Sequence, residues 1–130
     1  MGRYVETFLV ELNTIKVEPS NVARKIELFP GVSGRFLPSS DKVMLILVEI
    51  SPRSPVPPHK HHNEQLGLCL KGKAEFMSGD EVKIVEEGTG YFVPSNVEHS
   101  VKVISNEIGI FLDVFTPPRD DYLKKLAEQG

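Results

Sequence analysis

Cysteine occurs once in the 130 residues, as Cys69. That excludes an internal disulfide and a zinc site built mainly from thiolates. Basic charge is also scarce: 15 Lys and Arg face 18 Asp and Glu, a net charge of -3, with no basic run. Sequence-independent nucleic-acid binding needs a Lys/Arg footprint, so that class of partner is not expected. No apolar run approaches the roughly 20 residues of a membrane span; VMLILVEI, at 43–50, is interrupted at Glu49. The start, MGRYVETFLVELNTIKVEPSN, carries Glu6 and Glu11 in and beside its apolar stretch. It has no small-residue cleavage site, which argues against a signal peptide and makes a cytoplasmic protein the simplest expectation. Repeats, low-complexity tracts and linkers are absent as well. What remains is globular composition, 40% hydrophobic and 25% charged, at a length that suits one domain over 1–130.

Turn signals punctuate the chain: FPG at 29–31, LPSSD at 37–41, SPRSPVPP at 51–58, SGD at 78–80, EEG at 86–88 and PSN at 94–96. Short runs of Val, Ile, Leu and Phe lie between them. They predict strands at 22–28, 43–50, 65–70, 73–77, 82–85, 90–93, 101–104 and 108–115. Short strands at this spacing imply an all-β sandwich or barrel. Alternation in KVMLILVEI is partial, which suggests strands buried on both faces. Pro117-Pro118 ends the last strand, because proline cannot donate to a ladder. The segment 119–129 then sets Tyr122, Leu123, Leu126 and Ala127 on one stripe, a short amphipathic helix. The organisation expected is N-terminal strands in 1–42, a core in 43–116 and the helix at 119–129.

Three of the four histidines fall in HKHHNEQ, at 59–65, and the fourth is His99. His59 and His61 stand two residues apart before a predicted strand. On a pleated strand they share a face, which Gln65 can join by parity. A third imidazole from a distant strand would complete a site for a first-row transition metal. The alternative is a pair of loop histidines exposed after two prolines.

The segment HKHHNEQLGLCLKG, at 59–72, resembles the first cupin motif: His59 and His61 match its His-x-His, Gln65 stands at its glutamate and Gly72 at its closing glycine. Arg53 occupies the place of the opening glycine. GTGYFVPSNVEH, at 88–99, resembles the second motif through Gly88, Pro94 and His99. Asn96 replaces its middle glycine, and asparagine tolerates left-handed backbone angles better than most residues. Val103 replaces its final asparagine.

A narrower resemblance joins HKHHNEQLG to the tail DVFTPPRDDYL, at 113–123. That pair is similar to the pectin-degradation cupins, single small barrels that convert 4,5-unsaturated uronate monosaccharides to linear keto forms. His62 and Asn63 depart from that family's proline and third histidine.

The resemblance implies a cupin double-stranded β-helix, or jelly roll, with a short C-terminal helix. It implies a divalent transition metal (Zn, Ni, Fe or Mn) held by His59, His61, Gln65 and His99. Asp113 would be the acid/base group, Arg119 would bind the substrate carboxylate, and the ligand would be a small acidic sugar or another carboxylate. Without the resemblance, Asp113 reads as a strand-end carboxylate near solvent and Arg119 as a surface charge opening the helix. A cupin that binds or senses a small ligand without turnover is the second class of function, and a metal-dependent dioxygenase a third. The absence of a carboxylate ligand among the four argues against dioxygen chemistry. Finally, parity sends Leu66, Leu68, Leu70, Ile108, Ile110, Leu112 and Val114 away from the ligand cavity. An aliphatic face of that extent points to a homodimer.

Overall fold

The structure, a computed structural model, describes residues 13–129. Ten strands run in chain order: β1 (Arg24–Phe29), β2 (Val32–Phe36), β3 (Met44–Ile50), β4 (Pro55–His59), β5 (Glu64–Lys71), β6 (Lys73–Ser78), β7 (Glu81–Glu86), β8 (Gly90–Val93), β9 (His99–Val103) and β10 (Gly109–Thr116). A helix, α1 (Asp120–Glu128), follows them. The strands form a six-stranded sheet ordered β1-β2-β3-β10-β5-β8 and a four-stranded sheet ordered β4-β9-β6-β7. All pairings are antiparallel. The expected all-β jelly roll with a C-terminal helix is what the chain forms. Of the expected N-terminal strands in 1–42, positions 1–12 lie outside the described residues, and the strands seen in the remainder are β1 and β2.

Burial alternates cleanly along β3 and β10. Met44, Ile46, Val48 and Ile50 enter the core, as do Gly109, Phe111, Asp113 and Phe115. The intervening Leu45, Leu47, Ile110, Leu112 and Val114 are only half-buried. This corrects the expectation of strands buried on both faces. Both faces of β3 are apolar, but only one is in the core.

Two strands escaped the sequence reading. In β4, PVPPH, three prolines remove ladder donors. The strand sits at the edge of its sheet, paired only with β9 and with an irregular register between Val56 and His59, a setting in which such a sequence is tolerated. In β2, VSGRF, Gly34 interrupts the apolar run. A Cβ there would press on the Ile46 side chain at 2.6 Å, so the glycine marks close packing inside a strand rather than a turn. The cis peptide bond among the described residues is Thr116–Pro117, so the Pro57-Pro58 bonds are trans.

In α1 Tyr122 is the buried member of the expected stripe and Leu126 is half-buried, while Leu123 is 42% exposed and Ala127 is exposed. The helix is fastened to β1. Arg24 donates to the Leu126 carbonyl at 2.7 Å, and the Gln129 amide exchanges two hydrogen bonds with the Glu27 backbone, at 3.1 and 2.9 Å. A side-chain amide thus stands in for a missing strand at the sheet edge.

The cupin-motif glycines carry left-handed backbone, with φ of 86° at Gly72 and 85° at Gly88. The two substituted positions keep that geometry without glycine, with φ of 64° at Arg53 and 63° at Asn96. Asparagine bears this readily, whereas arginine pays the Cβ–carbonyl clash. Arg53→Gly is therefore expected to raise stability by about 0.5–1 kcal/mol in urea unfolding, the relief of strain less the entropy of a new glycine. An unchanged or lower midpoint would contradict a strained Arg53.

Candidate metal centre

His59 ends β4 and His99 begins β9, and the two are direct cross-strand partners. Directly opposed residues bring their side chains together on one face, and here the ring centroids are 4.3 Å apart. His61 lies in the loop between β4 and β5, not on a continuing strand. The pleat that was to unite His59, His61 and Gln65 is therefore broken at 60–63. His61 nevertheless reaches the same place, 5.0 Å from His99 and 5.5 Å from His59 between centroids. One ring nitrogen from each of the three lies within 4.8 Å of the others.

The backbone decides which nitrogens these are. His59 Nδ1 meets the Pro57 carbonyl at 2.8 Å, His61 Nδ1 the Asn63 carbonyl at 3.0 Å, and His99 Nδ1 the Val97 carbonyl at 2.9 Å. A carbonyl only accepts, so each Nδ1 carries the proton and each neutral ring presents a bare Nε2 lone pair. Carbonyl tethers of this kind orient metal-binding histidines. His61 Nε2 is buried with no hydrogen-bond partner. A cation fits that arrangement: it satisfies the orphaned acceptor and relieves three converging lone pairs. Burial, then the charge of Arg119, push His61 down to about 4; burial also lowers His59 and His99. The rings are therefore neutral and ready to coordinate at neutral pH.

Gln65, on the inner face of β5, lines the same small cavity as His59 and His99. Its amide nitrogen donates to Asp113 Oδ1 at 3.0 Å, which leaves its oxygen as the end available to a cation. Asp113 is 5% exposed, and Tyr91 also donates to its Oδ1, at 2.6 Å. Burial raises the Asp113 carboxyl to about 6 against these two hydrogen bonds and the Arg119 charge. Burial, and then Asp113, lift Tyr91 well above the usual phenol range, so Tyr91 stays a donor. Both donors use Oδ1, so Oδ2 is the oxygen left to exchange a proton.

Tyr91 is not among the site residues that the sequence motifs name. The register explains its role: Asp113 faces Gly67 on one side and Gly67 faces Tyr91 on the other. A Cβ at Gly67 would run into the Tyr91 ring, so only glycine lets the phenol cross β5 to reach the carboxylate. A glycine inside the apolar run QLGLCL is the signal that could have revealed this.

Arg119 is not a surface charge, since its side chain is 4% exposed. It stacks on Tyr122, with its guanidinium carbon 3.8 Å from the ring centre, and donates Nε and Nη2 to Asp121 at 3.1 and 2.6 Å. Those bonds and the Arg119 charge outweigh burial and hold Asp121 below the usual carboxylate range. A carboxylated ligand would meet the remaining Nη1 edge. Asn63, one of the two departures from the family pattern, is 2% exposed. It donates to the Pro117 and Pro118 carbonyls at 2.6 and 3.3 Å, fastening the histidine loop to the segment that carries Arg119. Cys69 is fully buried and donates to the Lys71 and Gly72 carbonyls, a packing residue. His62 is exposed.

Two facing antiparallel sheets with inward histidines define the class of protein, a double-stranded β-helix of jelly-roll type. The chain belongs to the cupin family, whose model, described as "Cupin domain", matches residues 46–115. It is similar to the pectin degradation protein KdgF of Dickeya dadantii (strain 3937), 30% identical over 98 residues that cover 75% of this chain and 88% of the relative. It is also 30% identical over 101 residues to H2HPP isomerase of Bacillus subtilis; this covers 76% of the chain but spans only 42% of the isomerase. Among solved structures, KdgF from Halomonas sp. superposes with a TM-score of 0.75 at 20% identity, over 84% of this chain and 99% of that one. Among the described residues no helix is long and apolar enough to cross a membrane.

Proposed function

We propose that this cupin is a metal-dependent enzyme that converts 4,5-unsaturated uronate monosaccharides, products of pectin or alginate breakdown, to their linear keto forms. The metal would be held by His59, His61, His99 and the Gln65 oxygen. The observation that carries the reading is the trio of neutral imidazoles, each fixed at Nδ1 by a carbonyl, set beside a buried carboxyl poised near neutrality. The KdgF relative supports the substrate class.

The conversion is an isomerisation. The anomeric hydroxyl loses a proton as the bond between the anomeric carbon and the ring oxygen breaks. The ring oxygen becomes the ketone oxygen, and C4 gains a proton. A bound divalent cation supplies Lewis-acid polarisation of a substrate oxygen. Asp113 carries the proton on Oδ2, held in place through Oδ1 by Tyr91 and Gln65. A carboxyl near 6 can both give and take a proton at neutral pH. Arg119 offers its Nη1 edge to the substrate carboxylate, and Asp121 and Tyr122 keep the guanidinium in place.

The test is an assay with freshly generated 4,5-unsaturated galacturonate that follows the conjugated absorbance. Absorbance should fall with the metal-loaded chain and persist after chelation. Persistence with every metal tried, in folded protein, would refute the assignment.

A further inference from the structure

The cavity lined by His59, Gln65, His99 and Asp113 has room for about 40 Å³. That holds roughly three waters, against about 300–1,000 Å³ for ordinary small-molecule sites. The body of any ligand must therefore lie in an adjoining cleft, and among the described residues two clefts share three lining residues each with the cavity. One, of about 390 Å³, shares Phe29, His59 and Arg119 with the cavity, and Lys60, Asp120 and Asp121 among its lining make it strongly charged. The other, of about 320 Å³, shares Phe76, Tyr91 and His99.

This second cleft opens along the seam between β7 and β8. Each is the edge strand of its own sheet, and the two do not pair. Val85, Val93, Phe92 and Val97 make its wall apolar. Few polar groups stand along that wall: Ser78 donates to the Glu98 carbonyl at 2.7 Å, Tyr91 donates to Asp113 at 2.6 Å, and Lys83 and Glu81 form an exposed pair at 3.6 Å. Hydroxyls laid against the Val85, Phe92, Val93 and Val97 wall would find no partner there, at a cost of about 1–3 kcal/mol for each one left unpaired. A flat apolar ring loses nothing and stacks on aromatic and aliphatic walls.

We propose that the β7–β8 seam is a second ligand entrance, a subsite for a small acid that carries a flat apolar ring. The ring rests against Phe76, Val85 and Phe92, and the oxygenated end points inward to Tyr91 and His99. This ligand class lies beyond the uronate reading and enters from the other side of the cavity. Arg119, buried across the cavity, supplies the positive charge that draws the acid end inward.

The probe is 2-naphthoate, with acetate as the ringless control, titrated by calorimetry against the zinc-loaded and the chelated chain. Naphthoate should bind about tenfold tighter than acetate or better. Phe92→Ser, at a position 52% exposed and safe for folding, should remove most of that advantage and leave acetate unchanged. Lys60→Trp, which fills the charged cleft, should alter neither. Naphthoate should shift the backbone amide resonances of Val85 and Val93. Equal affinities, loss of naphthoate binding in Lys60→Trp alone, or amide shifts confined to 60–63 and 119–121 would each overturn the proposal. Naphthoate binding at the seam in a chain inert toward the uronate would uphold it and remove the uronate reading instead.

Discussion

Asp113→Asn is expected to lower turnover of 4,5-unsaturated galacturonate by about 100-fold or more, the scale of losing an acid/base group. It should also make the metal-free protein more stable near pH 7. The two effects share one cause. Burial holds the Asp113 carboxyl at about 6, above its ordinary value of 3.8. The fold therefore binds that proton more tightly than the unfolded chain does. Stability from this group is complete below about 4, falls as pH rises through the window from 3.8 to about 6, and is lost above it. The loss amounts to about 3 kcal/mol at neutral pH. An asparagine oxygen can still accept from both Tyr91 and Gln65, because both donors use Oδ1. Asparagine therefore keeps the hydrogen bonds and removes the buried charge. Thermal melts of chelated protein should show the variant ahead at pH 7 and level with the parent near pH 4. Unchanged kinetics would remove Asp113 from the mechanism, and a variant less stable at pH 7 would contradict the account of its burial.

The second large effect concerns assembly. We expect a homodimer, and Leu68→Glu should dissociate it. The outer face of the six-stranded sheet aligns Leu45, Val114 and Leu66 in one cross-strand row and Leu47, Leu112 and Leu68 in the next. Leu66, Leu68 and Leu70 are 53%, 38% and 40% exposed. The helix leaves this face open, since it is hydrogen-bonded to β1 at the far edge of the sheet. An apolar patch of this kind usually marks an interface, and a two-fold contact is the commonest way to bury it. Sedimentation equilibrium at about 20 μM protein should give twice the 14.5 kDa chain mass for the parent and the single mass for the variant. A parent sedimenting at 14.5 kDa would exclude the dimer.

Strand parity made β5 and β10 legible from sequence. It placed Gln65 inward and Leu66, Leu68 and Leu112 outward, as the burial pattern has them. The turn positions were legible too, because left-handed backbone leaves its mark in Gly72, Gly88 and Asn96. What escaped depends on who lies opposite whom, which local patterns do not encode. The proline-rich β4 is a strand only because β9 supplies its ladder. Tyr91 reaches Asp113 only because Gly67 falls between them in the register. Asn63 matters through carbonyls more than fifty residues away in the chain. His61 comes close to His59 and His99 from a loop, not along the continuing pleat from which the sequence pattern argued.

His59, His61 and His99 are expected to close on one cation through Nε2. X-ray absorption of the zinc-loaded chain after dialysis tests it most directly. The account predicts one zinc per chain with three imidazole nitrogens at about 2.0–2.1 Å and oxygen in the remaining positions. Burial lowers all three histidines from the usual 6.5, so loss of zinc to protons should set in only below that value, and His61→Ala should release it. No retained zinc, or zinc bound through sulfur or carboxylates alone, would contradict the account.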